Sequence, residues 1–506
     1  MEQQILDVQR WVNQTYGDVE GFGRCPEDGV AGPATRFALV RALQHELGIT
    51  TLVDNFGPGT VGRLDQRGGV KADDENHGIV GILQAGLVCQ GYDAGPVTGT
   101  FGARTKAAVA RLRGDAGLGA AADGSVEPKL VKAVLSLESF VLSGEPSVRS
   151  VQQWLNGRYS ERRDFFLTGT DGVVSRSLLT ALALAIQFEL GMSDDVATGT
   201  FGPGTRAGLA KNVVGPGDTG VWVRLYSACL VINGYGSFCD LFNAFLVRAT
   251  VAFQTFAALD LTGRGDFPTW ALLLASNGDP DQPAAACDTS TTVTPERARA
   301  LHSAGYRVVG RYLDERPSAR PLDKQIKQGE LRTLFAHGLK VFAISQYDGS
   351  SAGYFTEQQG RKDAQDAHAA ALGHGFGEDT VIFFAVDYDA TGEEIDSNVV
   401  PYFRGVVAGL AESGGRYRHG VYGSRNVCSQ VSERTGARWS FISGMSTGYS
   451  GNMGFPLPSN WAYNQVQTLP VGEGDGQIDI DKNTSRPGTD AAVSFVEDET
   501  GKASVR

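Results

Sequence analysis

The sequence predicts a multidomain chain in which an all-α half built of repeats is followed by a small (β/α)8 TIM-type barrel. Two observations carry this prediction. "VQRWVNQTYG" from Val8 recurs as "VQQWLNGRYS" from Val151, an offset of 143 between positions 8 and 151. The same offset links Asp28-Gly29 to Asp171-Gly172, Gln44 to Gln187 and Glu46-Leu47-Gly48 to Glu189-Leu190-Gly191. Several matches at one offset mean duplication. From Cys287 onward, short β-branched and aromatic runs alternate with helical stretches, the signature of βα units around a parallel sheet. At the centre of that half, "VIFFAVDYD" (Val381 to Asp389) reads as a strand buried on both faces and closed by two aspartates.

Within the repeats, the small unit reads as helix, Gly-rich turn, helix. In "VTGTFGARTKAAVARLR", Gly99 and Gly102 suit a tight turn, and Thr105 opens an apolar-periodic run through Ala108, Val109 and Leu112. "DGVAGPATRFALVRALQ" from Asp28 and "TGTFGPGTRAGLA" from Thr198 repeat the layout. A fourth copy keeps the helix "VRATVAFQTFAALD" and the tail that follows it. The predicted segments are a first repeat pair over 1–143, a second over 144–275, a Pro-, Gly- and Asp-rich linker over 276–286, the barrel over 287–498 and a polar tail over 499–506.

The 506 residues exceed what one core usually serves, at roughly 100 to 200 residues per domain. A formal charge of −12 excludes a polyanion binder, because phosphate recognition needs a basic footprint, so no nucleic-acid partner is expected. The six cysteines are scattered, without zinc-ligand spacing, and are expected as buried thiols; Cys229 and Cys239 are the pair that export would allow to bridge. No run approaches the ~20 apolar residues of a membrane span. The N-terminus has no basic n-region or apolar h-region, so no signal peptide is expected and synthesis ends in the cytoplasm.

The repeats resemble the peptidoglycan-binding domain-like family, whose hallmark is D-G-x-F-G-x-x-T-x-x-A-V-x-x-F-Q. Asp28, Gly29, Gly32, Thr35 and Gln44 match in one copy, and Gly99, Phe101, Gly102, Thr105, Ala108 and Val109 in another. The copies depart from it where Thr98 and Thr198 replace the Asp and Arg113 replaces the Gln. The resemblance implies anchoring to cell-wall glycopeptide, with avidity from linked sites.

For the barrel, the predicted strands are Ala286–Thr289, Tyr306–Tyr312, Leu339–Tyr347, Thr380–Tyr388, His419–Ser424, Arg438–Ser443, Trp461–Gln467 and Gln477–Asp481. Helices are predicted after Thr294-Pro295, over Thr356 to Leu372 and over Asn398 to Ser413, and the link from the sixth to the seventh strand reads as helix-free. Period-two alternation puts Asp387 and Asp389 on one side of the fourth strand, at the end where such barrels keep their chemistry. Other strand ends supply Asp288, Arg311, Tyr312, Gln346, Tyr347, Tyr422, Gln465, Asp479 and Asp481. Trp461 and Tyr463 add aromatic surface for sugar faces. Carboxylates converging on one mouth suit glycoside hydrolysis, which needs a protonated acid and a second carboxylate. Asp387-x-Asp389-x-Thr391-Gly392 also looks like the start of a calcium loop, but its twelfth position is Asn398 and it begins in a strand, so no metal is expected.

"CDTST", "YRVVGRYL", "GLKVFAISQY", "FFAVDYDAT", "HGVYGS" and "GQIDID" resemble the glycoside-hydrolase-like domain of actinobacterial cell-wall-associated proteins, a distant relative of the family 25 lysozyme-like muramidases. That resemblance implies catalytic positions at Asp288, Asp387, Asp389 and Asp479, with Asp389 standing where the muramidases carry Glu. One methylene fewer withdraws the carboxylate by on the order of 1.5 Å. The roles expected are Asp389 as acid, Asp387 as partner carboxylate, Asp288 and Asp479 as electrostatic or orienting groups, and Arg311, Tyr312, Gln346, Tyr347, Tyr422, Trp461, Gln465 and Asp481 as substrate contacts. No cofactor is implied. The implied partner is peptidoglycan or another wall glycan, hydrolysed or, in the alternative, only bound. Such a partner implies location at the wall or outside the cell, reached by lysis, a holin route or a phage-tail-like carrier particle.

Overall fold

A computed structural model describes residues 2–121, 124–316, 321–497 and 503–504. It divides into two compact units, Met1–Thr200 and Phe201–Arg506. The first holds helices α1 (Glu2–Tyr16), α2 (Pro33–Glu46), α3 (Pro58–Arg67), α4 (His77–Cys89), α5 (Ala103–Asp115), α6 (Pro128–Leu135), α7 (Pro146–Tyr159) and α8 (Arg176–Glu189). Leu39, Leu43, Ile82, Leu83, Leu112 and Leu130 lie in one buried cluster that joins α2, α4, α5 and α6.

One device recurs at the duplicated positions: a buried side-chain amide staples the turn that follows its helix. Gln9, on α1, accepts from Gly29 N at 2.8 Å and donates to Asp28 Oδ1, Val30 O and Thr35 Oγ1. Gln84, on α4, accepts from Thr98 N and Gly99 N and donates to Thr100 O and Thr105 Oγ1. Gln44, Gln152 and Gln187 do the same for the turns at Val53, Gly172 and Gly199. These glutamines are at most 2% exposed, so an amide left unpaired would cost about 1–3 kcal/mol. Gly29, Gly99, Gly172 and Gly199 are left-handed, with φ between 71° and 80°, which is why the motif keeps glycine there.

The Thr98 departure from the motif preserves this staple, and Arg113, with donors only, ties its turn differently. Thr98 Oγ1 accepts from Gln84 Nε2 at 3.4 Å and from Thr100 N, as Asp28 does from Gln9 and Val30 N. Arg113 donates through Nε to Gly119 O and pairs with Glu127 just before α6.

The second unit opens with α9 (Pro203–Leu209), α10 (Val221–Ile232), α11 (Ala244–Phe256) and α12 (Phe267–Leu274). Ser227 staples its turn by exchanging two hydrogen bonds with the Cys239 backbone, and Gln254 takes Gly263 N at 3.0 Å. Cys239 Sγ donates to Leu241 O, and all six cysteines are free thiols. The expected linker is not a free tether. Ser276 Oγ donates to Gly444 O, and Ser276 O accepts from Asn464 Nδ2 and Arg425 Nη2, so this stretch is bound to the barrel wall.

The barrel strands are β1 (Ala286–Asp288), β2 (Val308–Tyr312), β3 (Lys340–Ser345), β4 (Val381–Ala385), β5 (Arg418–Gly423), β6 (Ser440–Ile442), β7 (Trp461–Val471) and β8 (Ile478–Ser485), closed in that order. Successive pairs from β1 to β7 are parallel, with α13 (Pro295–Ser303), α14 (Glu330–Ala336), α15 (Glu357–Gly373), α16 (Gly392–Glu394), α17 (Val400–Glu412) and α18 (Arg425–Thr435) in the first five connections. The regular (β/α)8 expectation fails at the end. β8 is antiparallel to both β7 and β1, no α-helix follows β6 or β7, and β7 and β8 form a long hairpin. Two left-handed glycines, Gly472 and Gly474, let the chain reverse there instead of crossing over.

Of the expected tail 499–506, only 503–504 lie among the described residues, pairing antiparallel with Val496–Glu497. No described helix is long and apolar enough to cross a membrane.

Candidate functional site

Phe342 and Tyr463 stack with centroids 4.3 Å apart although β3 and β7 are not neighbours, so both fill the barrel interior. Phe383 and Phe441 close on Phe342 at 5.7 and 5.3 Å. This aromatic plug is the floor of the site, and strand periodicity raises the next inward residues above it. Four residues beyond Phe342 and Phe383 stand Gln346 and Asp387, and two beyond Tyr463 stands Gln465. A Cβ on Gly310 would meet Phe342 Cζ at 2.3 Å and Asp288 Cβ at 2.7 Å, so only glycine lets the plug and Asp288 share that level.

Asp288, at the end of β1, is 3% exposed. Its Oδ1 accepts from Gln465 Nε2 at 3.0 Å and Asn483 Nδ2 at 2.8 Å. Directly across the ladder lies Asp481. Burial, then the facing Asp481 and the more distant Asp387, push the Asp288 carboxyl up to about 7 against the pull of the two amides. Asp481 is half-buried and also raised, first by burial and further by Asp387, while Thr468 Oγ1 donates to it at 2.5 Å. Asp387 is half-buried and accepts from Gln346 Nε2 at 3.2 Å. Tyr312 and Tyr422 face the same carboxylates; burial raises both phenols, and Asp288, Asp387 and Asp481 raise them further. Tyr422 Oη donates to Gln465 Oε1, extending the chain Tyr422–Gln465–Asp288. The mouth therefore gathers Asp288, Asp387, Asp481, Tyr312, Gln346, Tyr422 and Gln465.

Other expected contacts lie elsewhere. Arg311 is 0% exposed and points out of the barrel, where its Nε pairs with Glu330 Oε1 at 2.7 Å and Nη1 donates to Thr289 O. It alternates with the inward Gly310 and Tyr312, so its face is the wrong one for a ligand. Trp461 starts β7 at the closed end, is buried, and donates Nε1 to Phe256 O. Asp479 belongs to the projecting part of the hairpin, opposite Pro470, and is exposed. Because β8 runs antiparallel, Asp481 rather than Asp479 is level with Asp288.

Asp389 lies four residues past the end of β4, where strand alternation no longer holds. It is exposed and accepts from Ser450 N and Oγ at 2.6 and 2.7 Å. Tyr347 donates to Asp314 at 2.7 Å, and the Arg316 guanidinium covers one face of its ring at 3.8 Å, a face then closed to a sugar.

Two residues of the site escaped the sequence reading. Asn483 is two positions beyond Asp481 on the same strand face, so alternation pointed to it. Lys324, whose Nζ sits 4.4 Å over the Tyr312 ring, follows a loop that carries no motif.

Comparison with known proteins finds three matching family models. The Rv2525c-like, glycoside hydrolase-like domain covers residues 299–485. The FadG/YbfG, PGDB-like domain covers 1–93 and 141–274, and a putative peptidoglycan binding domain covers 76–134. The uncharacterized protein FadG of Bacillus subtilis (strain 168) is 44% identical over 504 residues, spanning 98% of this chain and 87% of that protein. The uncharacterized protein YbfG of the same organism is 38% identical over 509 residues, spanning 98% and 69%. Among solved structures, the Mycobacterium tuberculosis Tat-secreted protein Rv2525c in complex with L-tartrate matches at 22% identity, 41% of this chain, 97% of that chain and a TM-score of 0.35. An uncharacterized B. stearothermophilus protein matches at 16% identity, 42% and 100% coverage and a TM-score of 0.31.

Proposed function

The chain belongs to the FadG/YbfG family, and we propose that it hydrolyses a cell-wall glycan in the manner of a muramidase, its helical repeats holding the barrel to peptidoglycan. The observation that carries this reading is the cluster of Asp288, Asp481 and Asp387 above the aromatic plug. A glycosidic bond breaks when one carboxylic acid protonates the leaving oxygen while a second carboxylate activates water or attacks the anomeric carbon. Asp481, raised by burial and by Asp387, is the donor in this reading; it replaces Asp389, which Ser450 holds away. Asp387, oriented by Gln346, is the second carboxylate. Asp288 lies too deep to touch a sugar and acts as the neutral partner that lets Asp481 and Asp387 approach. Tyr312 and Tyr422 border the sugar.

The protein works at the wall in this reading, reached by lysis or on a phage-tail-like particle. Fractionation of native cells would recover it with the wall, and a solely cytosolic pool would overturn that location.

A binding-only barrel is the second reading, favoured by the displacement of Asp389 to the surface. Purified sacculi separate the two. Wild type is expected to release new reducing ends, and Asp481→Asn or Asp387→Asn to lower the rate by about 100-fold or more while still pelleting with the wall. Pelleting without release by wild type itself would leave binding alone.

A further inference from the structure

Residues 322–326 set Lys324 beside the end of β2. Glu315 accepts from Leu322 N at 2.5 Å and from Asp323 N at 2.8 Å, and Asp323 takes a left-handed turn at φ 56°. Ile326 N then donates to Tyr312 O at 2.9 Å, and Tyr312 and Gln325 form a parallel bridge, so residues 324–326 lie along the end of β2. Between these anchors Lys324 is 7% exposed, with Nζ 4.4 Å over the face of Tyr312, one of the aromatics bordering the carboxylate cluster. No carboxylate reaches ion-pair distance of Nζ, and no acceptor takes a hydrogen bond from it, among the described residues. Asp387, Asp314 and Glu315 act on it only from farther away, and burial holds its ammonium below the ordinary lysine range. The charge over Tyr312 therefore has no counter-ion among the described residues, and an anion delivered by a ligand at the mouth would pair with it.

We infer that Lys324 is an anion-binding residue at the barrel mouth and that the glycan taken there carries a negatively charged substituent, a carboxylate or a phosphate, beside the sugar that meets Asp387 and Asp481. The inference rests on the glycan reading above and adds the charge of the substrate to it. A negative group over a mouth already rich in carboxylates would be repelled without a cation, so Lys324 is what separates anionic from neutral chains.

Calorimetric titration of the full-length protein tests this with three soluble oligosaccharides of equal length. One is a neutral β-1,4-linked N-acetylglucosamine chain, one carries lactyl carboxylates on the same backbone, and one is phosphate-bearing. Wild type is expected to bind at least one anionic chain about tenfold more tightly than the neutral one, and the two anionic arms say which group it takes. Lys324→Met is expected to erase that preference, and Lys324→Arg to restore it. Lys324→Gln replaces the Met variant if the latter does not fold. Equal wild-type affinity for all three chains overturns the inference and leaves the glycan reading standing, as does equal weakening of all three by Lys324→Met. Binding of none overturns both.

Discussion

The helical repeats and the barrel bury polar side chains by opposite routes. In the repeats, Gln84 meets Thr98, Gly99, Thr100 and Thr105, and Gln9 meets Gly29, all within about one helix and one turn of chain. In the barrel, Asp288 is held by Gln465 and Asn483, separated from it by 177 and 195 positions. A local staple satisfies an orphan turn and asks nothing of the rest of the fold, so it survives duplication and even the exchange of Gln for Ser227 or Arg113. A carboxylate completed from distant strands depends on closure of the whole sheet. The difference teaches that the repeats use buried polarity to shape turns, and the barrel uses it to perturb a charge.

The largest test falls on the long-range side. Glu330→Gln leaves the Arg311 guanidinium buried without its counter-charge, and unfolding of the barrel in denaturant should come earlier by about 3–5 kcal/mol. A loss near zero would mean that this pair is not structural.

On the local side, Gln84→Ala strips the partners from Thr98 N, Gly99 N and Thr105 Oγ1. It should cost roughly 3 kcal/mol in the first unit and leave the proposed glycan hydrolysis unchanged. A matching fall in hydrolysis would show that the two regions are not independent in this respect.

Asp288→Asn is expected to act through pH. The folded carboxyl is raised, so the folded state holds a proton that the unfolded chain releases, and stability falls as pH climbs from 3.8 to about 7. The slope reaches at most about 1.4 kcal/mol per pH unit. The Asn variant keeps an acceptor for Gln465 and Asn483 and should flatten that part of the stability profile. An unchanged profile would assign the proton elsewhere. Smallest of all, Asp389→Ala should alter stability by no more than about 0.5 kcal/mol and leave the proposed hydrolysis intact, because Asp389 is exposed and, among the described residues, bonded only to Ser450. A large loss of hydrolysis would return it to the catalytic pair.

Legibility followed the same division. The Gly and Thr of each turn lie close together in the chain, so the repeat could be read from its letters, whereas the structure shows that Thr98, a departure from the motif, keeps the turn through its bonds to Gln84 and Thr100. All eight strands were also legible, most of them as short apolar runs. Asp387 followed from alternation along the fourth strand, and Gln465 from its place near the end of the predicted seventh. Arg311 and Trp461 lie away from the mouth because a position at a strand end does not itself say which face, or which end, meets it.

By itself the sequence determined the duplication, the Gly-rich turns of the repeats, the eight strands and the place of Asp387, because these depend on spacing along the chain. Only the tertiary structure decided that Asp481 stands opposite Asp288, that Asp389 and Asp479 face solvent, and that Lys324 lies over Tyr312. The reason is that the direction of a strand and the neighbour across its ladder are set by closure of the sheet. β8 turned back on β7 instead of crossing over, and this placed Asp481, two residues along from Asp479, at the level of the site.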